Sequence, residues 1–511
     1  MKKIKVKTAL VSVSDKTDLD KLADYFFENE VEVISSGGTF KALKKINAKL
    51  KLIEVASYTS FNEILDGRIK TLHPLIHAGI LADKSNANHK RQLNDLKINH
   101  IDLVVVNLYP FENTVKKNSD ESICIENIDI GGPSLVRGAA KNYRSVAVIT
   151  TPKYYEEFIN EAEKNNNYIS FKLRKKLASE AFKHTAYYDG VIANWFDKKN
   201  RIYQSNKNVL PLKKIHNLRY GENPHQKAAI FSLGNSSIKK IAGKELSFNN
   251  INDLEVAFEL ADNFKKSSCV IVKHGNPCGV ALDDQQKKAY KKALACDRVS
   301  AFGGIVAFNK VVDGETANEV LKIFTEVIVA PRFSSKAIKI FSKKKNLILI
   351  EYKNKKPLNK LLIKSTKNFL LIQDKDLKNV EKNELKFFNK KPNKNLIDDM
   401  LFAFTVSKFI NSNAIVISKG LATVGIGIGQ TNRIDSAKQA IKRKKTNFGN
   451  VEAVLASDGF FPFPDIVKIC SKNKIKAIIQ PGGSLNDNSV IKEAKKQNIN
   501  LVFTGIRHFK H

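Results

Sequence analysis

Cysteine is scarce in this chain, and its five copies, Cys124, Cys269, Cys278, Cys296 and Cys470, are scattered, odd in number and free of CxxC spacing. A disulfide framework and a structural zinc site are therefore not expected. Also missing is any apolar run of the roughly 20 residues that span a bilayer. The opening Met1-Lys2-Lys3-Ile4-Lys5 leads into a mixed segment rather than a signal-peptide core, so a cytoplasmic protein without membrane contact is expected. Acidic charge is in deficit, with 51 Asp+Glu against 86 Lys+Arg and a formal net charge of +35. That balance raises nucleic-acid binding first. Yet no aromatic-basic RNP pattern, zinc knuckle or long basic arm is present, and the lysines are spread evenly. They read as a soluble surface with an anion-attracting field, and no nucleic-acid partner is expected. Arginine is rarer still: of twelve, Arg68, Arg137, Arg219, Arg433 and Arg507 lie in Gly/Asn/Thr/His-rich segments. Where lysine fills the ordinary basic positions, a retained guanidinium suggests a need for its planar fork.

What is present suffices for a folded, multi-domain protein. Hydrophobic residues make up 42% of 511 residues, with 30 Phe, too long a chain for one ordinary core. The first third alternates: strands at Thr8–Val13, Val31–Ser35, Ile101–Asn107 and Ser145–Thr150, helices at Thr17–Glu28 and Thr39–Ile46, then a helical stretch Ser170–Phe196. Such alternation predicts a parallel sheet with helices on both faces. The polar segment Asp197–Lys214 marks a boundary, giving domains 1–197 and 198–511. Apolar runs from Cys269–Val272 to Leu501–Phe503 make the second region mixed α/β as well, divided by the Lys/Asn-rich Lys353–Lys394 into lobes of roughly 198–375 and 376–511. A remote duplication is conceivable but not visible in the residues.

Two strand-to-helix junctions, Ser12-Val13-Ser14-Asp15-Lys16-Thr17 and Ser36-Gly37-Gly38-Thr39, offer backbone N–H groups at helix N-termini, followed by Arg68-Ile69-Lys70-Thr71. One junction alone is explained by N-capping; two with the basic segment suggest a monophosphate site. Asn107-Leu108-Tyr109, Ile128-Asp129-Ile130-Gly131-Gly132 and Arg137–Asn142 add Tyr, Asp and Lys without a nucleophile or metal cluster, a set suited to moving protons on a heterocycle. His73 and His77 have i,i+4 spacing, but Pro74 intervenes and no HExxH glutamate follows, so zinc is not expected there. In Val270-Ile271-Val272-Lys273-His274-Gly275-Asn276-Pro277-Cys278-Gly279 an apolar strand ends on a cation, a titratable base and a turn. In isolation that is a loop histidine beside a solvated lysine; at a sheet edge it suits attack on a carbonyl. Leu218–Gln226, Ser300–Gly304, Ser412-Asn413-Ala414 and Ser457–Phe463 are further polar or aromatic turns. In Gly425-Ile426-Gly427-Ile428-Gly429 the glycines alternate as in a close-packed strand, not a dinucleotide loop.

Taken in order, the segments RxKTLHP, NLYPF, IDIGG, RYGENPHQ, KHGNPCG, SAFGG, SNA and FFPF resemble the bifunctional purine-biosynthesis family that is both AICAR formyltransferase and IMP cyclohydrolase, nearly end to end. The resemblance implies a methylglyoxal-synthase-like N-terminal domain and a formyltransferase region of two cytidine-deaminase-like lobes. It implies that Ser12, Ser14, Lys16, Ser36, Gly37 and Thr39 hold the ribose phosphate. Arg68, Lys70, Thr71, Asn107, Tyr109, Asp129 and Lys141 would surround the formyl-AICAR base, with Lys70, Tyr109, Asp129 and Lys141 catalytic. In the second region it implies Arg219, Tyr220, Gly303, Glu326, Arg433, Phe460 and Arg507 for AICAR, Lys273, His274 and Asn413 for catalysis, and Ile434, Asp465, Ser484 and Leu485 for folate. The co-substrate would be 10-formyltetrahydrofolate, the small molecules AICAR, formyl-AICAR and IMP, the assembly a homodimer, and no metal would be required. Arg298, Gly138 and Asn368-Phe369 depart from the family pattern without removing a catalytic group. A formyltransferase whose cyclohydrolase half is silent is the alternative reading.

Overall fold

Short runs of aliphatic and β-branched residues can bury both strand faces only inside a layered sheet. The computed structural model describes residues 3–117, 120–200, 205–232, 238–352, 361–389 and 391–511. It divides into two compact units, Met1–Leu212 and Lys213–His511. Within the polar stretches read as boundaries, residues 201–204, 353–360 and 390 lie outside the described residues.

In the first unit β1 (Thr8–Val13), β2 (Glu32–Ser35), β3 (Leu52–Glu54), β4 (Leu103–Asn107) and β5 (Ala147–Ile149) form a parallel sheet in the order β3-β2-β1-β4-β5. Leu22, Phe26 and Phe158 pack on Val11 and Val105 of one face. Ile76, Val136 and Ala181 pack on Val104 and Val106 of the other. The surrounding helices include α1 (Leu19–Glu28), α2 (Gly37–Ile46), α3 (Pro74–Leu81), α4 (Gly131–Lys141) and α5 (Phe171–Lys199). The strand order reverses between β1 and β4, and the crevice at their carboxyl ends is where such sheets place ligands.

Local chemistry shifts the helix limits. Thr17 is held by an Asx turn, its N–H donating to Asp15 Oδ1 at 3.0 Å, and Asp18 sits at φ +53°, so α1 begins at Leu19. Gly37 and Gly38 belong to α2 rather than preceding it. Helix α5 runs through 197/198, the boundary expected from composition, and the units divide at Leu212/Lys213 instead.

The second unit holds two six-stranded sheets. The first comprises β6 (Ile238–Ala242), β7 (Ser268–Lys273), β8 (Asn276–Leu282), β9 (Gly304–Phe308), β10 (Thr325–Ala330) and β11 (Ile348–Tyr352), ordered β6-β11-β10-β9-β7-β8. The second comprises β12 (Lys386–Phe387), β13 (Ile415–Ser418), β14 (Thr423–Gly427), β15 (Ala453–Ser457), β16 (Ile475–Gln480) and β17 (Asn500–Phe503), ordered β12-β17-β16-β15-β13-β14. Order, direction and irregularities coincide. The ladders slip between Ile271 and Val272 in one and between Ile417 and Ser418 in the other, and again at Gly304/Ile305 and Ala453/Val454. The lobes are thus an internal duplication.

Helices α6 (Phe248–Asp262) and α8 (Lys394–Ser407) precede β7 and β13; α7 (Gln286–Cys296) and α9 (Arg433–Phe448) follow β8 and β14. One apolar cluster runs from Val270 and Val272 through Phe258 of α6 and Phe402 of α8 to Val416 and Val454. The edge strands β8 and β14 meet: Ala281 bridges Ala422, Leu282 N–H donates to Leu421 O at 2.9 Å, and Val280 N–H donates to Thr423 Oγ1 at 3.0 Å.

One edge strand, β8, differs from expectation, and the other, β14, is the close-packed strand expected. His274-Gly275 is the two-residue turn of a hairpin, and Asn276-Pro277 open its returning strand β8 rather than a loop leaving the sheet. Gly279 and Gly425 lie in these strands because an added Cβ would come within 2.0 Å of Ala293 O and 2.2 Å of Ala440 O. The alternating glycines of Gly425–Gly429 begin in such a close-packed strand, β14. Among the described residues no helix is long and apolar enough to cross a membrane.

Candidate active sites

At the switch point of the first unit lies a cavity of about 540 Å³. Strand β1 delivers Ser12 and Ser14, α2 its N-terminus, β4 Asn107, and the chain entering α4 Asp129. Asn107 is the keystone: its Oδ1 accepts from Ser14 N–H at 2.6 Å and Asp15 N–H at 3.0 Å, while its Nδ2 donates to Asp15 O at 2.8 Å. The β1–α1 turn is thereby pinned to the neighbouring strand. Thr39 is equally committed, its Oγ1 accepting from Val13 N–H at 3.0 Å and donating to Val13 O at 3.0 Å. It is a buried tie between β1 and α2. Ser36, by contrast, caps α2 without a side-chain hydrogen bond. Its hydroxyl and the first-turn N–H groups leave an anion site, and Lys16 Nζ would lie 4.0 Å from a Cβ on Gly38.

On the opposite wall are Arg68, Lys70, Thr71, Tyr109 and Asp129. Arg68 forms an exposed pair with Glu126, Nη2 to Oε2 at 2.6 Å, so an anionic ligand must compete for it. Asp129 Oδ1 accepts from Gly132 N–H at 2.8 Å. Burial holds its carboxyl above the ordinary aspartate range, against the pull of Gly132 and Tyr109 N–H groups and the Lys70 charge. The IDIGG glycines follow from this packing, since a Cβ on Gly132 would lie 2.4 Å from Asp129 Oδ2. Two expected residues stand outside the lining. Gly37 shapes the α2 turn at φ +48°. Lys141 is exposed at the C-terminal end of α4, about 15 Å of helical rise from the end beside Asp129. His73 caps α3, its Nδ1 accepting from Leu75 N–H at 3.3 Å, and His77 faces Ser134 Oγ at 3.5 Å, so neither is oriented toward a shared ligand.

In the second unit β7 ends on Lys273, whose Nζ donates to Phe302 O at 2.6 Å. His274 and Gly275 form the turn with φ of +54° and +71°. Asp253 of α6 clamps it, accepting from His274 N–H at 3.1 Å and Gly275 N–H at 2.6 Å. Burial raises the Asp253 carboxyl, opposed by those two hydrogen bonds. The second lobe repeats the device without the histidine: Asp399 accepts from Gly420 N–H at 2.8 Å and Leu421 N–H at 2.6 Å.

The turn abuts the second lobe. Asn411 N–H donates to Asn276 Oδ1 at 2.9 Å, and Lys510 Nζ donates to Gly275 O at 3.2 Å and Phe409 O at 3.0 Å. Burial lowers the Lys510 ammonium. Beyond it Arg433, at the start of α9, is buried against Asp458 and donates through Nη1 to Ser457 Oγ at 3.0 Å. Ser412 Oγ also donates to Asp458. Phe509 carries two guanidinium neighbours, Arg507 Cζ at 4.7 Å and Arg433 Cζ at 6.0 Å. Asn413 Nδ2 donates to Gln430 O at 2.8 Å and Thr431 O at 3.3 Å. Its uncommitted group is therefore the carbonyl oxygen, an acceptor, which leaves it no side-chain N–H to offer an oxyanion.

Gly303 N–H donates to Phe324 O at 2.8 Å, and Glu326 Oε2 accepts from Asn250 Nδ2 at 2.9 Å, placing both at the strand ends beside Lys273. Arg219 stacks on Tyr220 at 5.5 Å, and their turn reaches α6 where Asn249 Nδ2 donates to Glu222 O at 3.3 Å. Asn486 Nδ2 donates to Pro462 O at 2.8 Å, drawing Ser484 and the exposed Leu485 to the loop of Phe460, Phe463 and Asp465. Ile434 is half-buried against the second lobe's core. Asp253 and Lys510 escaped the sequence reading, as did the buried pairing of Asp458. Asp253 looks like any acidic residue on an amphipathic helix, and only the terminal Arg-His-Phe-Lys run hinted at Lys510.

Fold and clusters define a two-unit α/β enzyme with a separate anion-accepting site in each unit. A model of the AICARFT/IMPCHase bienzyme matches residues 139–443, and one of the MGS-like domain matches residues 18–134. The bifunctional purine biosynthesis protein PurH of Thermoanaerobacter sp. (strain X514) is 46% identical, over 99% of this chain and 100% of that protein. Its Fusobacterium nucleatum namesake is also 46% identical with the same coverage, and that of Bradyrhizobium diazoefficiens is 44% identical over 99% of both chains. The chain belongs to the AICARFT/IMPCHase bienzyme family, with an MGS-like N-terminal domain.

Proposed function

We propose that the second unit transfers the formyl group of 10-formyltetrahydrofolate to AICAR and that the first closes formyl-AICAR to IMP with loss of water. The observation that carries this reading is the clamped Lys273-His274 turn set against Asn411, Lys510 and the Arg433–Asp458 pair. The AICAR amine is conjugated to its carboxamide and needs a base as it attacks the formyl carbon. His274 takes that proton, and Lys273 stabilises the tetrahedral oxyanion, a donor of the kind that supplies about 3 kcal/mol. Asn413 accepts from the substrate through its free carbonyl, while Arg219, Tyr220, Gly303, Glu326, Arg433, Phe460 and Arg507 hold the nucleotide. Ile434, Asp465, Ser484 and Leu485 take the folate.

In the first unit Ser12, Ser14, Lys16, Ser36 and the α2 N-terminus hold the phosphate. The carboxamide nitrogen attacks the formyl carbon; Asp129 accepts its proton and returns it to the former formyl oxygen, which Lys70 and Tyr109 steady, and a second N–H proton follows as the C–O bond breaks and that oxygen leaves as water. Lys141 stands apart from this set. A homodimer in the cytoplasm is the assembly in keeping with the family. Supplying AICAR and 10-formyltetrahydrofolate and following IMP by absorbance tests the whole: accumulation of formyl-AICAR would confine activity to the second unit, and no product would refute both assignments.

A further inference from the structure

The lobe that carries Lys273-His274 has a cavity of about 760 Å³ at the other end of its sheet. Matched strand for strand, this cavity is the first lobe's copy of the pocket that the second lobe builds around Arg433. Gln286 begins α7 as Arg433 begins α9. Ser267 precedes β7 as Asn413 precedes β13, and Asn309 and Lys310 follow β9 as Asp458 and Gly459 follow β15. The position of His274 is taken by Gly420, so the copy has no base and would bind without catalysing.

Its substitutions are mutually consistent. Gly459 must lack a side chain, because a Cβ there would lie 2.4 Å from Arg433 Nη2. The shorter Gln286 removes that obstruction, and Lys310 lines the cavity in the glycine's place. Gln286 is only 7% exposed, yet its Oε1 has no hydrogen-bond partner, and neither has the buried Ser267 Oγ. Its Nε2 makes only a long contact, 3.4 Å, to Lys310 O. Buried polar groups are rarely left unmatched unless something else supplies the partner. Around them, Lys266 pairs with Asp284 at 3.2 Å and Lys287 with Glu315 at 3.5 Å. Lys265 and Lys310 line the cavity with no carboxylate partner among the described residues. With the α7 N-terminus they form the anion-binding end.

We infer that this cavity is a non-catalytic site for a nucleoside monophosphate, its phosphate on Lys265, Lys310 and the α7 N-terminus, its base meeting Gln286 and Ser267. The ligand class rests on the proposed assignment of the twin pocket to a nucleotide. Equilibrium dialysis of the full-length enzyme with labelled AICAR tests it, alongside Lys310→Glu, Gln286→Leu and the conservative Lys310→Arg. Lys310→Glu and Gln286→Leu should each lose one bound nucleotide per chain with formyl-transfer rates unchanged, and Lys310→Arg should keep it. Unchanged stoichiometry in both disabling variants overturns the inference while leaving the formyltransferase assignment intact. Displacement of that nucleotide by inorganic phosphate at equal concentration would reduce the site to a simple anion hole and also overturn it. Wild-type enzyme that neither binds AICAR nor transfers formyl would instead sink the underlying assignment.

Discussion

Replacing Asp253 with alanine removes two charge-assisted hydrogen bonds, at 3.1 and 2.6 Å, from a turn in which His274 sits at φ +54°. A left-handed backbone at a residue with a Cβ costs roughly 1–2 kcal/mol, and each hydrogen bond to a carboxylate contributes about 1.5–3 kcal/mol. Without the clamp the turn has ample reason to relax, and a shortfall of about 2.7 kcal/mol in holding the base corresponds to a 100-fold loss of rate. Asp253→Ala should therefore lower formyl transfer about 100-fold, with closure of supplied formyl-AICAR untouched because that reaction belongs to the other unit. The duplicated lobe supplies a control. Asp399→Ala removes hydrogen bonds of 2.8 and 2.6 Å from a turn of the same form that presents Gly420. It should cost comparable thermal stability yet leave formyl transfer within about threefold, since no base rides on it. Initial rates with AICAR and 10-formyltetrahydrofolate, paired with melting curves, distinguish the two. Equal rate losses in both variants would mean that the effect is general destabilisation and that Asp253 does not position His274.

His274→Ala should abolish formyl transfer and spare closure; near-normal transfer would remove the histidine from the role of base. Deleting Ile506–His511 takes away Lys510 and its bonds to Gly275 and Phe409 together with the Arg507–Phe509 stack, so formyl transfer should fall sharply, which a fully active truncation would contradict. Asp129→Asn should stop closure and, at neutral pH, raise the melting temperature. Its folded-state carboxyl lies above the unfolded one, so ionisation destabilises the fold increasingly as pH rises through that value, and the gain should vanish below the unfolded value near 3.9. Equal melting shifts at pH 3 and pH 7 would speak against a raised carboxyl. Gly138→Ala places a methyl 3.6 Å from Ile80 Cγ2, ordinary contact inside α4, and should stabilise by about 1 kcal/mol; a lower melting temperature would show that α4 has no room.

Much of this architecture could be read from the residues, because doubly buried strands such as Leu103–Asn107 announce themselves as apolar runs. The edge strand Asn276–Leu282 did not, since the close-packed helix carbonyl of Ala293 requires glycine at Gly279, where a strand former would have signalled. The duplication was equally hidden: it is preserved in strand order, in ladder slips and in Asp253 and Asp399, while the residues around them have diverged. In the first unit the phosphate cradle was legible from hydroxyls and glycines at helix starts. That Thr39 is consumed in tying β1 to α2, and that Asn413 has already spent its N–H groups on backbone carbonyls, depends on three-dimensional partners that no spacing displays.

The bridge between Ala281 and Ala422 also bears on how the chain avoids edge-to-edge pairing. Strands β8 and β14 are the outermost strands of their sheets, and an uncovered edge of unpaired N–H and C=O groups invites pairing with other molecules. Each lobe shields the other's vulnerable border, so a lobe released by proteolysis or expressed alone would present a templating edge that the intact chain never shows.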